Sequence, residues 1–188
     1  MLQRPGYGPS PASGPAPVRA GVRLGIDAGS VRIGVARSDA GGLLASPLTV
    51  VRRGKGDMES LATLRVLVAS AQAIEVIVGL PTSLSGRSGP AAVSARAFAA
   101  LLAAAVDPVP VRLVDERFTT TSAHGALRQG GKDSRARRQV VDAAAAAILL
   151  QTALDIERGT GYPPGELVGR HVGGDGRDLG GEMKGTGQ

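Results

Sequence analysis

The chain has 188 residues, is 43% apolar and carries a formal net charge of +6 with a sequence pI of about 10.7, which suits one domain with a real core and leans toward a polyanionic partner. Cysteine is absent, which excludes a disulfide scaffold and a thiolate metal site. No apolar run reaches the ~18 residues of a membrane span, and the Pro- and Gly-rich start does not read as a secretory signal, so a cytoplasmic protein is expected.

Residues 1–21 hold five prolines and four glycines without apolar periodicity and read as a disordered tail. Residues 160–188, Gly-rich, read the same way. The folded unit is then 22–159, and no internal repeat is visible. Val22–Asp27 (VRLGID) predicts a strand ending in a carboxylate. Arg32–Asp39 (RIGVARSD) predicts a second strand after a tight connection. Gly41-Gly42 marks a turn, and Ala45–Val51 completes a meander. Asp57 is placed to cap a helix over Met58–Ala71, with Leu61, Leu64, Leu67 and Val68 on one face. Ile74–Gly79 predicts a buried strand, and Leu80–Gly89 a polar loop. Pro90 opens a helix to about Ala105. Val111–Glu116 is the next strand. Thr119 or Thr120 can cap a short helix ending near Gln129. A long helix then runs from about Arg137 to Arg158. This order gives an α/β domain on a hairpin-led mixed sheet.

Three places carry candidate chemistry. LGIDAGSVRIGVA puts Asp27 at a strand end, with Gly29 in the turn able to adopt positive φ; an ordinary hairpin with a turn-bonding Asp also fits. VDERFTT sets Asp115 and Glu116 side by side. Neighbouring strand side chains point to opposite faces, so at most one of them faces a common site. In QVVDAAAAAILLQTAL, Asp142 shares a helix face with Ala145, Ala146, Leu149 and Ala153. That stripe must pack on the sheet, so Asp142 sits on or beside a buried face, where a charge needs a partner or a metal; an acid favoured by the helix dipole is the plainer reading. Three acids from distant segments suit Mg²⁺ or Mn²⁺, which take oxygen ligands. Such ions can activate water and stabilise the leaving oxygen of a phosphodiester. His124 and His171 lack zinc spacing and read as non-catalytic.

The basic excess is mostly Arg: 19 Arg against 3 Lys, a bias that a GC-rich genome also produces. Arg128, Lys132, Arg135, Arg137 and Arg138 form a basic run just before Asp142, placed to guide phosphates. A solvated charge run fits equally. Arg32 and Arg87 are further candidate phosphate contacts. Two Phe, two Tyr and no Trp leave little for base stacking, so backbone and shape would be read.

The four segments in order resemble the YqgF/RuvX family of Holliday-junction resolvases. LGIDAGSVRIGVA resembles its opening D-x-G-x-x-R-I-G-V-A block, and IVGLPTSLSGRSGP its central loop. VDERFTT resembles its D-E-R segment, and VVDAAAAAILLQ its closing helix. The resemblance spans about Val22 to Asp155. It implies a ribonuclease-H-like five-stranded mixed sheet flanked by helices and a divalent-metal site. It also implies Asp27, Glu116 and Asp142 as the catalytic, metal-binding carboxylates, which selects Glu116 over Asp115. Thr82-Ser83-Leu84-Ser85 departs from the family, which often has an Asn and acids there. Phe118 replaces a more usual aliphatic residue. The implied substrate is a four-way DNA junction or, within the same chemistry, the 5′ end of precursor 16S rRNA. Two symmetric cuts in a junction would suit a two-fold homodimer. Two rivals of other classes are an actin-like or sugar-kinase-like ATPase, which needs two lobes where roughly 140 residues offer one, and a non-catalytic nucleic-acid-binding module, which would not need the three acids.

Overall fold

The computed structural model describes residues 18–54, 56–82, 89–118 and 135–169, with backbone only at 118 and 135–139. The elements are β1 (Arg23–Ala28), β2 (Arg32–Ser38), β3 (Ala45–Arg52), α1 (Met58–Ser70), β4 (Glu75–Leu80), α2 (Pro90–Ala105), β5 (Val111–Asp115), a 3₁₀ turn (Glu116–Phe118), α3 (Arg135–Thr160) and β6 (Glu166–Leu167). The sheet order is β3-β2-β1-β4-β5-β6. β1, β2 and β3 form the antiparallel meander, and β4 and β5 add in parallel with β1. This hairpin-led mixed sheet with helices on both faces is the ribonuclease-H-like arrangement. It has six strands among the described residues where the sequence predicts five. The sixth is two residues long and pairs antiparallel with β5. It lies in the Tyr-Pro-Pro-Gly-containing stretch read as tail, and so short an edge strand has no alternation to betray it.

Each face of the sheet has its own core. On one face α1 and α2 cover Leu24, Ile26, Val76, Val78 and Leu113 with Leu64, Phe98 and Leu102. On the other α3 covers Ala36, Ile77 and Val114 with Ala146, Leu149, Leu150, Ala153 and Leu154. Covering on both sides explains why β4, the run EVIVGL, is buried at every position. Each Leu or Ile so buried contributes roughly 1.5–3 kcal/mol relative to exposure. β3, at the sheet edge, is mostly exposed and carries Pro47.

Glycines set how closely α3 approaches. A Cβ on Gly25 of β1 would lie 2.7 Å from the Leu150 Cβ, and one on Gly34 of β2 would collide with the Asp142 carbonyl oxygen. Strand glycines often mark such close approach.

Two local expectations need correction. Asp57 stands at the N-cap position of α1, but in the left-handed region (φ 59°) and with no side-chain cap bond. Its carboxylate instead accepts from Arg53 Nε and Nη2, at 2.7 and 2.9 Å. Gly29 does not adopt positive φ. What it provides is space, because a Cβ there would lie 2.7 Å from the Arg32 carbonyl oxygen.

The short helix expected after Thr119 lies outside the described residues, as do residues 1–17 and 170–188 of the expected tails. Among the described residues, no helix is long and apolar enough to cross a membrane.

Candidate active site

The α3-facing side of the sheet carries every second residue of each central strand. On β1 these are Arg23, Gly25 and Asp27; on β4, Glu75, Ile77 and Gly79. The alternation follows from the two-residue period of a strand. One end of this face is acidic. Asp27 is 9% exposed and pairs in register with Gly34 of β2. Gly34 lies under the backbone of Asp142 in α3. On the other side of β1, the last β1–β4 pair is Ile26 with Val78, so Gly79 follows beside Asp27. A Cβ on Gly79 would lie 2.8 Å from Glu116 Oε1 and 3.2 Å from Leu149 Cδ2. The lack of a side chain at Gly79 thus makes the cradle in which the Glu116 carboxylate sits.

Asp142 is half-buried, and its Oδ2 accepts from Arg32 Nε at 2.5 Å. The helix stripe predicted with it is buried at Ala145, Ala146, Leu149 and Ala153. Asp115 and Glu116 diverge as their adjacency requires. The Asp115 carboxylate accepts from the Thr82 hydroxyl, from the Arg117 backbone N–H at 2.8 Å and from the Arg117 guanidinium. The Arg117 guanidinium, then the Thr82 hydroxyl, outweigh burial and hold the Asp115 carboxyl down at about 2. Arg117 therefore bonds Asp115.

Behind Asp27 the connection to β2 is braced. Arg53 Nη1 donates to the Gly29 carbonyl at 3.1 Å, its other nitrogens hold Asp57, and its guanidinium lies 4.9 Å from the centre of the Phe98 ring.

The other end of the α3 face is a buried ion network that sequence reasoning missed. Glu157 of α3 accepts from Arg19 Nε at 2.8 Å and from Arg23 Nη2 at 3.0 Å. Glu75 accepts from Arg19 Nη2 at 2.7 Å and from Arg112 Nε at 2.9 Å. Arg23, Glu75 and Glu157 are each at most 2% exposed. Burial pushes the Glu157 carboxyl up, but the Arg19 hydrogen bonds and the charge of Arg23 outweigh it and hold it below its ordinary value of 4.5. Arg19 belongs to the stretch read as tail.

A set of carboxylate oxygens from β1, the β5 end and α3 suits a hard divalent cation. Among the described residues, no three such side chains stand close enough together to hold an ion as they are. The expected phosphate contacts Arg87, Arg128 and Lys132 lie outside the described residues. Arg135, Arg137 and Arg138 fall in the first turn and a half of α3, where only the backbone is described.

The strand order defines a ribonuclease-H-like domain. A family model described as RuvX, Holliday junction resolvase, matches residues 21–156, and the chain belongs to that family. A protein of Nocardioides sp. (strain JS614) named "Putative pre-16S rRNA nuclease" is 59% identical over 155 residues, covering 80% of this chain and 98% of its own length. A Thermobifida fusca protein of the same name is 56% identical over 158 residues, with 80% and 98% covered. Among solved structures, Thermus thermophilus RuvC in complex with Holliday junction substrate is similar at 21% identity and a TM-score of 0.41, over 74% of this chain and 97% of that one.

Proposed function

We propose that this nuclease is a divalent-metal-dependent endonuclease acting on structured nucleic acid, with Asp27, Glu116 and Asp142 holding Mg²⁺ or Mn²⁺. The observation that carries the reading is that Asp27 lies between the segments that carry Asp142 and Glu116. Gly34 brings the α3 backbone at Asp142 to one side of it, and Gly79 leaves room for Glu116 on the other. The bound ion would supply Lewis-acid stabilisation of the scissile phosphate and make water acidic enough to attack it. The chain's own residues do the rest. Asp27, fixed on a central strand, holds its carboxylate in a largely water-excluded position. Arg32 and the basic residues Arg87, Arg128, Lys132, Arg135, Arg137 and Arg138 bind the phosphate backbone and set its register.

Two substrates share this chemistry. The family description favours four-way DNA junctions. The relatives' shared name favours precursor 16S rRNA, and they match along nearly their whole length. A homodimer acting on two strands suits the first; a single site is enough for the second. Incubating the protein with Mg²⁺ or Mn²⁺ and a synthetic junction, a plain duplex and a precursor-rRNA fragment decides between them. Metal-dependent cleavage of the junction or the rRNA, but not the duplex, is expected. Cleavage that persists undiminished in D27N would contradict the proposed site.

A further inference from the structure

The arginines near the acidic end are bonded very differently. Arg53 is bonded through all three of its nitrogens: both oxygens of Asp57 and a backbone carbonyl accept from it, and an aromatic face lies against it. Arg117 is tied twice to Asp115. Arg32 is not. Among the described residues its guanidinium makes one hydrogen bond, from Nε to Asp142 Oδ2. A guanidinium has five N–H donors, and this side chain is 31% exposed. Its backbone is firmly placed, since it opens β2 in register with Arg52 of β3. Arg32 also lies two residues from Gly34 on the same face, so its side chain and Asp27 flank the site from one side of α3.

We propose that Arg32 is a placeholder for the cation: it neutralises Asp142 until a divalent ion arrives, then yields that carboxylate and turns its guanidinium to a substrate phosphate. The inference rests on the metal reading given above. Its physical basis is competition for one carboxylate. A single partly exposed ion pair is weak, and a divalent ion on the same oxygen repels the guanidinium. The guanidinium is the group best shaped for a phosphate and never loses its charge. Metal binding and phosphate binding at Arg32 then favour each other, and such a coupling is reciprocal.

The test is a calorimetric titration of the full chain with Mn²⁺, without nucleic acid, for wild type, R32Q, R32K and D142N. Thermal unfolding of each variant is followed alongside. Removing the competitor should tighten Mn²⁺ binding by R32Q roughly three- to tenfold, with R32K between it and wild type. Binding to D142N should be lost. Equal or weaker Mn²⁺ binding by R32Q and R32K would make Arg32 a mere support for Asp142 and overturn the proposal alone. No Mn²⁺ binding by any of the four would overturn the metal reading and the proposal with it. The hand-over to phosphate has its own readout in the salt dependence of DNA binding, with Ca²⁺ present or chelated. R32Q should lower the salt slope by about 1 in Ca²⁺ and leave it unchanged in chelator. Equal slopes for wild type and R32Q in Ca²⁺ would contradict it.

Discussion

The two ends of the α3–sheet interface use charge in opposite ways. At one end Glu75 and Glu157 are buried but surrounded by Arg19, Arg23 and Arg112. At the other, Gly34 lies against the Asp142 backbone and Gly79 against the Glu116 carboxylate, on either side of Asp27, and Arg32 bonds Asp142. In the first arrangement each carboxylate is bonded by two arginines, and Glu157 ties α3 to the sheet. The second is the proposed seat of a divalent cation. Acids held by arginines within the fold serve stability, and the proposed role of the other group lies outside it.

The sharpest way to break this contrast is to neutralise one acid at each end. D27N should reduce metal-dependent cleavage by at least ~10²-fold, while its thermal midpoint changes far less than that of E157A. E157A should do the reverse. Breaking a buried pair costs about 3–5 kcal/mol, so its unfolding midpoint should fall strongly, with Mn²⁺ affinity kept by the molecules that remain folded. Unfolding curves and cleavage rates of both variants check the pair together. An unchanged midpoint for E157A, or a large loss for D27N, would erase the distinction.

Gly79 sharpens the contrast from within the acidic end. In G79A the new methyl meets the Glu116 carboxylate, the movable end of a side chain, so that group shifts and the backbone stays. Mn²⁺ affinity should fall about tenfold with a stability loss near ~1 kcal/mol. In G34A the methyl meets the backbone of α3 instead, and stability should fall by about 1–3 kcal/mol. Calorimetry and denaturant unfolding separate the two.

The smallest effect concerns acid. The Asp115 carboxyl is lowered from 3.8 to about 2. Its contribution to stability is therefore complete above pH 3.8 and lost as pH falls toward about 2. Glu157, also lowered, acts in the same direction below 4.5. D115N should flatten the part of the acid limb between 3.8 and about 2 and leave the pH dependence near 7 unchanged. Unfolding midpoints measured across that range check it.

Much of the architecture is visible in the residue pattern. Strand runs and helical stripes depend on local periodicity, so β1, β2, β4, α2 and the buried face of α3 lie close to where the pattern puts them. The spread of three acids over β1, the β5 end and α3 was legible too, through both periodicity and the family resemblance. What stayed hidden depends on register between distant segments. Nothing around Arg23 or Glu75 tells that their alternate positions meet Glu157 across a sheet and a helix. Asp57 looked like a cap because its type and position fit one, yet Arg53 competes for the same carboxylate. Gly25, Gly34 and Gly79 did carry a signal. Glycine inside an apolar strand is costly, and its persistence at three α3-facing positions points to a close approach there.

The most direct measurement is a crystal soaked with Mn²⁺ and its anomalous difference map. The account predicts a peak bounded by the carboxylates of Asp27, Glu116 and Asp142, with Arg32 moved off Asp142. A map with no density there, or manganese bound elsewhere while the Arg32–Asp142 pair stays closed, would contradict it.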